Sequence, residues 1–121
     1  MEITFTIPGK PIPQERPLVL RRGWTIDRPR SKKAKQLIAL VASARRRTLK
    51  FAILEGYCGL EVVFYGLRKS ADLSNAQKLV EDALNGVIWV DDKQLVETHV
   101  YRRTGGEDRT EVRVWAISSI A

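Results

Sequence analysis

An α+β fold, a mixed β-sheet carrying two main helices, is what the sequence predicts, and three observations carry that expectation. Apolar residues alternate with polar ones over Glu2–Pro8 and over Gly59–Tyr65, the period of a half-buried strand. Apolar residues recur at helical spacing after Ser31 and again between Asn75 and Asn85. Two more strand-like segments, Gln94–Tyr101 and Thr110–Ser118, flank Thr104-Gly105-Gly106-Glu107, a hairpin signal.

In the first strand Ile3, Phe5 and Ile7 face one way and Thr4 and Thr6 the other, and Pro8-Gly9 ends it. Residues 9–30 hold four prolines, Gly23 and five arginines with little periodicity, which reads as a loop or irregular hairpin. Ser31 is a natural N-cap for a helix whose apolar face is Ala34, Leu37, Ile38, Val41 and Ala44. Lys32, Lys33 and Lys35 fall in its first turn, where the helix dipole disfavours cations and a bound phosphate would resolve the conflict. In the second helix Ala76, Leu79, Val80, Ala83 and Leu84 make the apolar face, while Asn75, Lys78, Asp82 and Asn85 make a polar stripe. Gly86 is placed to end it, and Val87–Val90 reads as a short apolar strand.

A chain of 121 residues suits one domain, 1–121, that buries its own core. Cys58 and His99 each stand alone, which excludes an internal disulfide and the usual Cys/His zinc patterns and fits a reducing, cytoplasmic setting. No apolar run approaches the ~20 residues of a membrane span, and MEITFTIPGK lacks a signal-peptide pattern, so no membrane partner is expected. The net charge of +7 is uneven. Residues 21–50 hold eleven of the 21 basic residues and a single acid, Asp27, whereas nine of the 14 acids follow Ala71. That asymmetry points to a polyanion, nucleic acid above all.

The acids bracket the second helix in ADLSNAQKLVEDALNGVIWVDD, with Asp72 before it and Asp91-Asp92 after it. If the chain doubles back at Gly86, a strand over Val87–Val90 returns Asp91-Asp92 towards Asp72. Carboxylates brought together in this way suit Mg²⁺ or Mn²⁺ with phosphate oxygens, and Lys78 adds a cation for developing charge. A nuclease explains a basic face and an acidic pocket together. The bland alternative is a helix-end charge at Asp72, an Asp82–Lys78 pair and a turn at Asp91-Asp92.

These residues resemble the RusA family of Holliday junction resolvases over most of the chain. GKPIPQERP and GWTIDRPRSKKAK are similar to the family's opening loop and its basic lead-in to the first helix. The most specific likeness is Asp72-Leu-Ser74-Asn75, Lys78, Asp82-Ala-Leu-Asn-Gly86, Asp91-Asp92 and Gln94-Leu95. The resemblance implies a homodimeric, Mg²⁺-dependent endonuclease, bacterial or phage-encoded, that resolves four-way junction DNA by paired symmetric nicks. It implies catalytic, metal-binding roles for Asp72 and Asp92, with Asp91 the adjacent acid. It implies an essential role for Lys78 and supporting roles for Asn75 and Asp82. The DNA-binding set is then Arg16, Arg21, Arg22, Trp24, Arg28, Arg30, Lys32, Lys33 and Lys35, with Trp24 either stacking on bases or packed away.

Ser74 departs from the family's D-x-D-N, where an acid stands at that position. Serine there also reads as a capping box with Gln77. Three readings follow. The site is rearranged around Asp91 or a water; or the protein is a catalytically inactive junction-binding relative; or serine is an engineered inactivating change.

Overall fold

The computed structural model describes residues 1–118. In chain order it contains β1 (Glu2–Pro8), β2 (Leu18–Val19), β3 (Thr25–Ile26), α1 (Pro29–Leu49), β4 (Cys58–Tyr65), α2 (Leu73–Leu84), β5 (Leu95–Arg103) and β6 (Arg109–Ala116). Strands β1, β6, β4 and β5 form a mixed sheet in that order, with β4–β5 parallel and the other two pairings antiparallel. The α+β expectation therefore holds. Alternation is what builds the sheet: Ile3, Phe5 and Ile7 of β1 and Leu60, Val62 and Phe64 of β4 are buried on one face. Both helices pack on that face. Ile38 and Ala42 of α1, with Ala76, Leu79, Val80, Ala83 and Leu84 of α2, join those strand residues in one hydrophobic cluster. Cys58 lies in that cluster, and burial pushes its thiol pKa up.

Four local expectations change. First, α1 begins three residues earlier than an N-cap at Ser31 implies, with Arg28 as N-cap and Pro29 in the first turn, where its missing N–H is harmless. Ser31 is not the N-cap. It is fully buried, and its hydroxyl accepts from the Glu15 N–H at 2.9 Å, which ties the Pro/Arg loop to the helix. Second, α2 starts at Leu73 with Asp72 as N-cap, whose Oδ1 accepts the Ser74 N–H at 2.8 Å. Ser74 therefore sits inside the first turn, and Gln77 points instead to Glu81 and Thr98.

Third, Val87–Val90 is a turn rather than a strand. Gly86 takes a left-handed φ of 80°, and the N–H groups of Val87 and Ile88 both donate to the Leu84 carbonyl. Ile88 and Trp89 are consequently buried under the helix end, where an extended strand would have left half its side chains outside. Fourth, β5 and β6 are not a hairpin. Thr110, Val112 and Val114 give β6 a fully buried face, and it takes the central slot between β1 and β4. The connecting loop steps over the end of β4 at Gly66, where a β-carbon would meet the Asp108 carboxylate.

Residues 9–28 form an irregular hairpin in which β2 pairs with β3. Arg22 and Gly23 both take positive φ at its tip, the pattern of a tight hairpin turn.

Ser31→Ala strands the Glu15 N–H. It is expected to lower stability by about 1–3 kcal/mol in denaturant titration, with the sheet intact.

Candidate active site

The residues singled out by the sequence fall on two ends of α2. Asp72, Ser74, Asn75 and Lys78 occupy its N-terminal end and are exposed. Asp91 and Asp92 follow its C-terminal end, where the turn 85–90 folds against Leu54. The pairing of β5 fixes the separation. β5 starts beside Cys58, the first residue of β4, and ends beside Tyr65, the last. Helix α2 runs back along it: Gln77 reaches Thr98 at 3.4 Å, and the Arg102 guanidinium donates to the carbonyls of Lys69 and Ala71 just before Asp72. Twelve helical residues span ~18 Å. Asp72 therefore lies at the Arg102 end of β5 and Asp92 at the Leu95 end. One chain does not bring the two acids together.

Each acid has a local role as well. Asp92 is half-buried, and its Oδ1 accepts the indole N–H of Trp89 at 2.8 Å, which fixes its direction. Asp91 caps the following 3-10 turn (Asp92–Gln94), its Oδ1 accepting the Lys93 N–H at 3.0 Å. Gln94 completes that corner. Its carbonyl oxygen accepts from the Val90 and Asp91 N–H groups, and its amide donates to the Leu54 and Gly56 carbonyls. All four hydrogen-bonding positions of the amide are used, so the turn is clamped to the segment before β4.

Asp82 pairs with Lys35 of α1 at 3.5 Å rather than with Lys78, and Lys35 also reaches Asp27 at 3.0 Å. Lys35 is thus turned inward between the helices, with its side chain 18% exposed, and does not join the outward basic face. Arg16, Arg21, Arg22, Arg30, Lys32 and Lys33 are exposed. Arg28 is partly covered and donates to the Arg16 carbonyl at 2.8 Å, holding the two sides of the arm together. Trp24 is 72% exposed, which removes the packed-away alternative within one chain. The Gln14 N–H donates to the Asn75 carbonyl at 3.0 Å, so the Arg16 loop runs beside the end of α2 that carries Asp72.

Glu81 went unnoticed in the sequence because its charge is ordinary there. In the fold it is half-buried beside Asp92 and Asp82. Burial raises its pKa above the ordinary carboxyl range and the two neighbouring carboxylates add to the rise, against a 2.6 Å hydrogen bond from Gln77 that lowers it. The Gln77–Glu81 spacing of four was the available signal. Among the described residues no three His, Cys, Asp or Glu side chains stand close enough to hold a metal ion. The donors of a single chain do not fit a divalent cation. Nor is any helix among them long and apolar enough to cross a membrane.

The model of the family described as Endodeoxyribonuclease RusA matches residues 8–115. The chain belongs to the RusA family. Its members are Holliday junction resolvases, DNA endonucleases that generally depend on a divalent metal. The chain is also similar to "Uncharacterized protein YqaN" of Bacillus subtilis (strain 168), 32% identical over 142 aligned positions that cover 97% of this chain and 98% of that protein. The family match spans the basic loop, both helices and both acidic ends of α2.

Two outcomes follow from this corner. Replacing Gln94 with Met removes four hydrogen bonds at the turn and is expected to cost about 2–4 kcal/mol in denaturant titration. A carboxyl whose pKa is raised on folding binds its proton more tightly in the folded state, so stability falls as pH rises from the ordinary value of 4.5 through the raised one. Glu81→Gln should therefore raise the melting temperature relative to wild type more at pH 7 than at pH 4.

Proposed function

We propose that this protein is a structure-specific endonuclease that resolves four-way DNA junctions by paired nicks, acting as a homodimer with Mg²⁺, or Mn²⁺ in its place. The observation that carries this reading is Asp72. It is an exposed carboxylate at the start of α2, with Oδ2 unengaged among the described residues, Lys78 one and a half turns along the same helix, and the Arg16 loop alongside. A basic arm that neutralises phosphates leading to an acid beside a lysine suits a scissile phosphate.

The chain's residues have separable roles in this reading. Arg21, Arg22, Arg30, Lys32 and Lys33 contact the backbone of the junction arms without reading sequence. Trp24, on the hairpin, stacks on bases at the open centre. Lys78 lies against charge developing on the phosphate. Asn75 and Asp82 position α2, the first through the Gln14 contact and the second through Lys35. We read residues 1–121 as one such endonuclease domain, working in the cytoplasm.

Ser74 favours a second reading, a junction-binding protein that does not cut. Its side chain is exposed in the first turn of α2, where an aspartate would be accommodated and favoured by the helix dipole. The experiment is cleavage of a synthetic four-way junction beside linear duplex, across Mg²⁺ concentrations, for the wild type, Ser74→Asp and Asp72→Asn. The expected result is junction-selective nicking by wild type. Ser74→Asp should reach the same rate at an Mg²⁺ concentration lower by about tenfold or more. Asp72→Asn should bind the junction and leave it intact. Binding by all three with cleavage by none would establish the junction-binding reading instead.

A further inference from the structure

The hairpin ahead of α1 presents an apolar face to solvent. Its strands pair Leu18 with Ile26 and Val19 with Thr25, and the Leu20 N–H donates to the Trp24 carbonyl at 2.6 Å in the same register. Side chains alternate along a strand, so Leu18, Leu20, Trp24 and Ile26 share one face. Trp24 is 72% exposed, Ile26 49% and Leu20 42%, and none of the four joins the hydrophobic cluster under the sheet. Single apolar residues are ordinary on a surface, but a contiguous apolar face marks an interaction site.

The tip is a second, independent sign. Arg22 takes a left-handed φ of 73°, a conformation that strains an arginine and suits glycine. Among the described residues Lys50 is the other non-glycine with positive φ, and it forms the left-handed cap that ends α1. Arg22 ends no α-helix, and its side chain is exposed at the apex. Strain kept at an exposed turn points to a use for the side chain it presents. Charge then says what covers the face. Arg21 and Arg22 frame it at the apex and Arg16 and Arg28 at the base, while the nearby Asp27 is offset by Lys35 at 3.0 Å. The matching ligand has flat apolar faces edged by phosphates, which describes unpaired bases of a nucleic acid. The arm is also aimed. Arg28 closes its base on the Arg16 carbonyl, and Lys35 reaches from Asp27 to Asp82 of α2.

In a linear duplex the base faces are covered by stacking, and an inserted side chain must first open a step. At a branch point stacking is already interrupted, so the same insertion costs less. We propose that the β2–β3 hairpin is a wedge that seats Leu20 and Trp24 against unpaired bases at a branch point, and that this contact makes the protein prefer branched DNA to linear duplex. The wedge rests on the endonuclease reading above for the identity of its substrate, but not for cleavage. The arginines add affinity for any DNA, whereas the apolar face adds it only where bases are uncovered. Selectivity and chemistry therefore sit on different elements, the hairpin and the start of α2.

The test is binding in EDTA, where no strand is cut, to a four-way junction carrying 2-aminopurine at the branch, to the same junction labelled within an arm, and to linear duplex. Wild type should raise 2-aminopurine fluorescence at the branch and not within the arm. The double variant Leu20→Ala/Trp24→Ala should lose that rise and lower the junction-to-duplex affinity ratio by about tenfold or more. Both side chains are exposed, so its circular dichroism should match wild type. Arg22→Gln should weaken junction and duplex alike and keep the ratio. A double variant that keeps the ratio and the fluorescence rise overturns the wedge, and so does one that weakens both substrates equally. Wild type that sediments with phosphatidylglycerol vesicles and shows no preference for the junction overturns it in favour of a lipid surface. Cleavage in Mg²⁺ is scored separately. A fluorescence rise with every strand intact leaves the wedge and sinks the endonuclease reading, whereas cut junctions without the rise do the opposite.

Discussion

The parallel pairing of β4 with β5 is the constraint on which the rest of the molecule depends. Two parallel neighbours require the chain to return to the starting edge before the second strand begins, and α2 is that return. The helix must therefore run the length of the sheet, and whatever precedes it is held at the opposite end from whatever follows it. Asp72 and Asp92 are separated for that reason alone. Topology, rather than side-chain placement, therefore sets the distance between the two acids.

The same return organises the interior. Because α2 lies over the sheet with its apolar face down, its flanks meet different neighbours. One flank offers Asp82 to Lys35 of α1, and the other offers Gln77 and Glu81 to β5 and to the turn carrying Asp92. The turn is fastened by Trp89, which is buried and donates to Asp92, and by Gln94, whose amide is fully used. Asp92 therefore projects from a rigid corner, whereas Asp72 projects from a helix start braced by Arg102. Both acids are placed by the ends of regular elements, which favours precise geometry.

What was legible in the sequence follows from how local each feature is. The alternation of Ile3, Phe5 and Ile7 and the face Ala76–Leu79–Val80–Ala83–Leu84 are local periodicities, and both are buried as expected. The fate of β6 is not local. Nothing near Gly105-Gly106 says that the strand after it will enter between β1 and β4 rather than fold back on β5, because that choice is made by which strand best fills a slot with a neighbour on each side. Ser31 misled for a related reason: serine caps helices through local geometry, yet here a contact sixteen residues away claims its hydroxyl and buries it. The candidate residues were visible as a motif, but the distance between its halves was not. Reading Val87–Val90 as extended supplied a return path that the turn at Gly86 removes.

The motif then divides by what each side chain already touches. Gln94 has no hydrogen-bonding capacity left, Asp91 accepts the Lys93 N–H and Asp82 pairs with Lys35, so each of these positions has a part in shaping the corner or docking the helices. Asp72 has one oxygen in its helix cap and one without a partner among the described residues, and Lys78 is exposed. Position 74 lies between these groups in character. Its backbone N–H donates to the cap, while its side chain takes no part in it, so aspartate fits the fold as well as serine does and adds an outward charge that the helix dipole favours. The fold thus tolerates either residue, and the difference between them falls on chemistry at the exposed end of α2. That end is also where the basic loop arrives, through the Gln14 N–H on the Asn75 carbonyl, so the charge at position 74 is read beside the arginines of that loop.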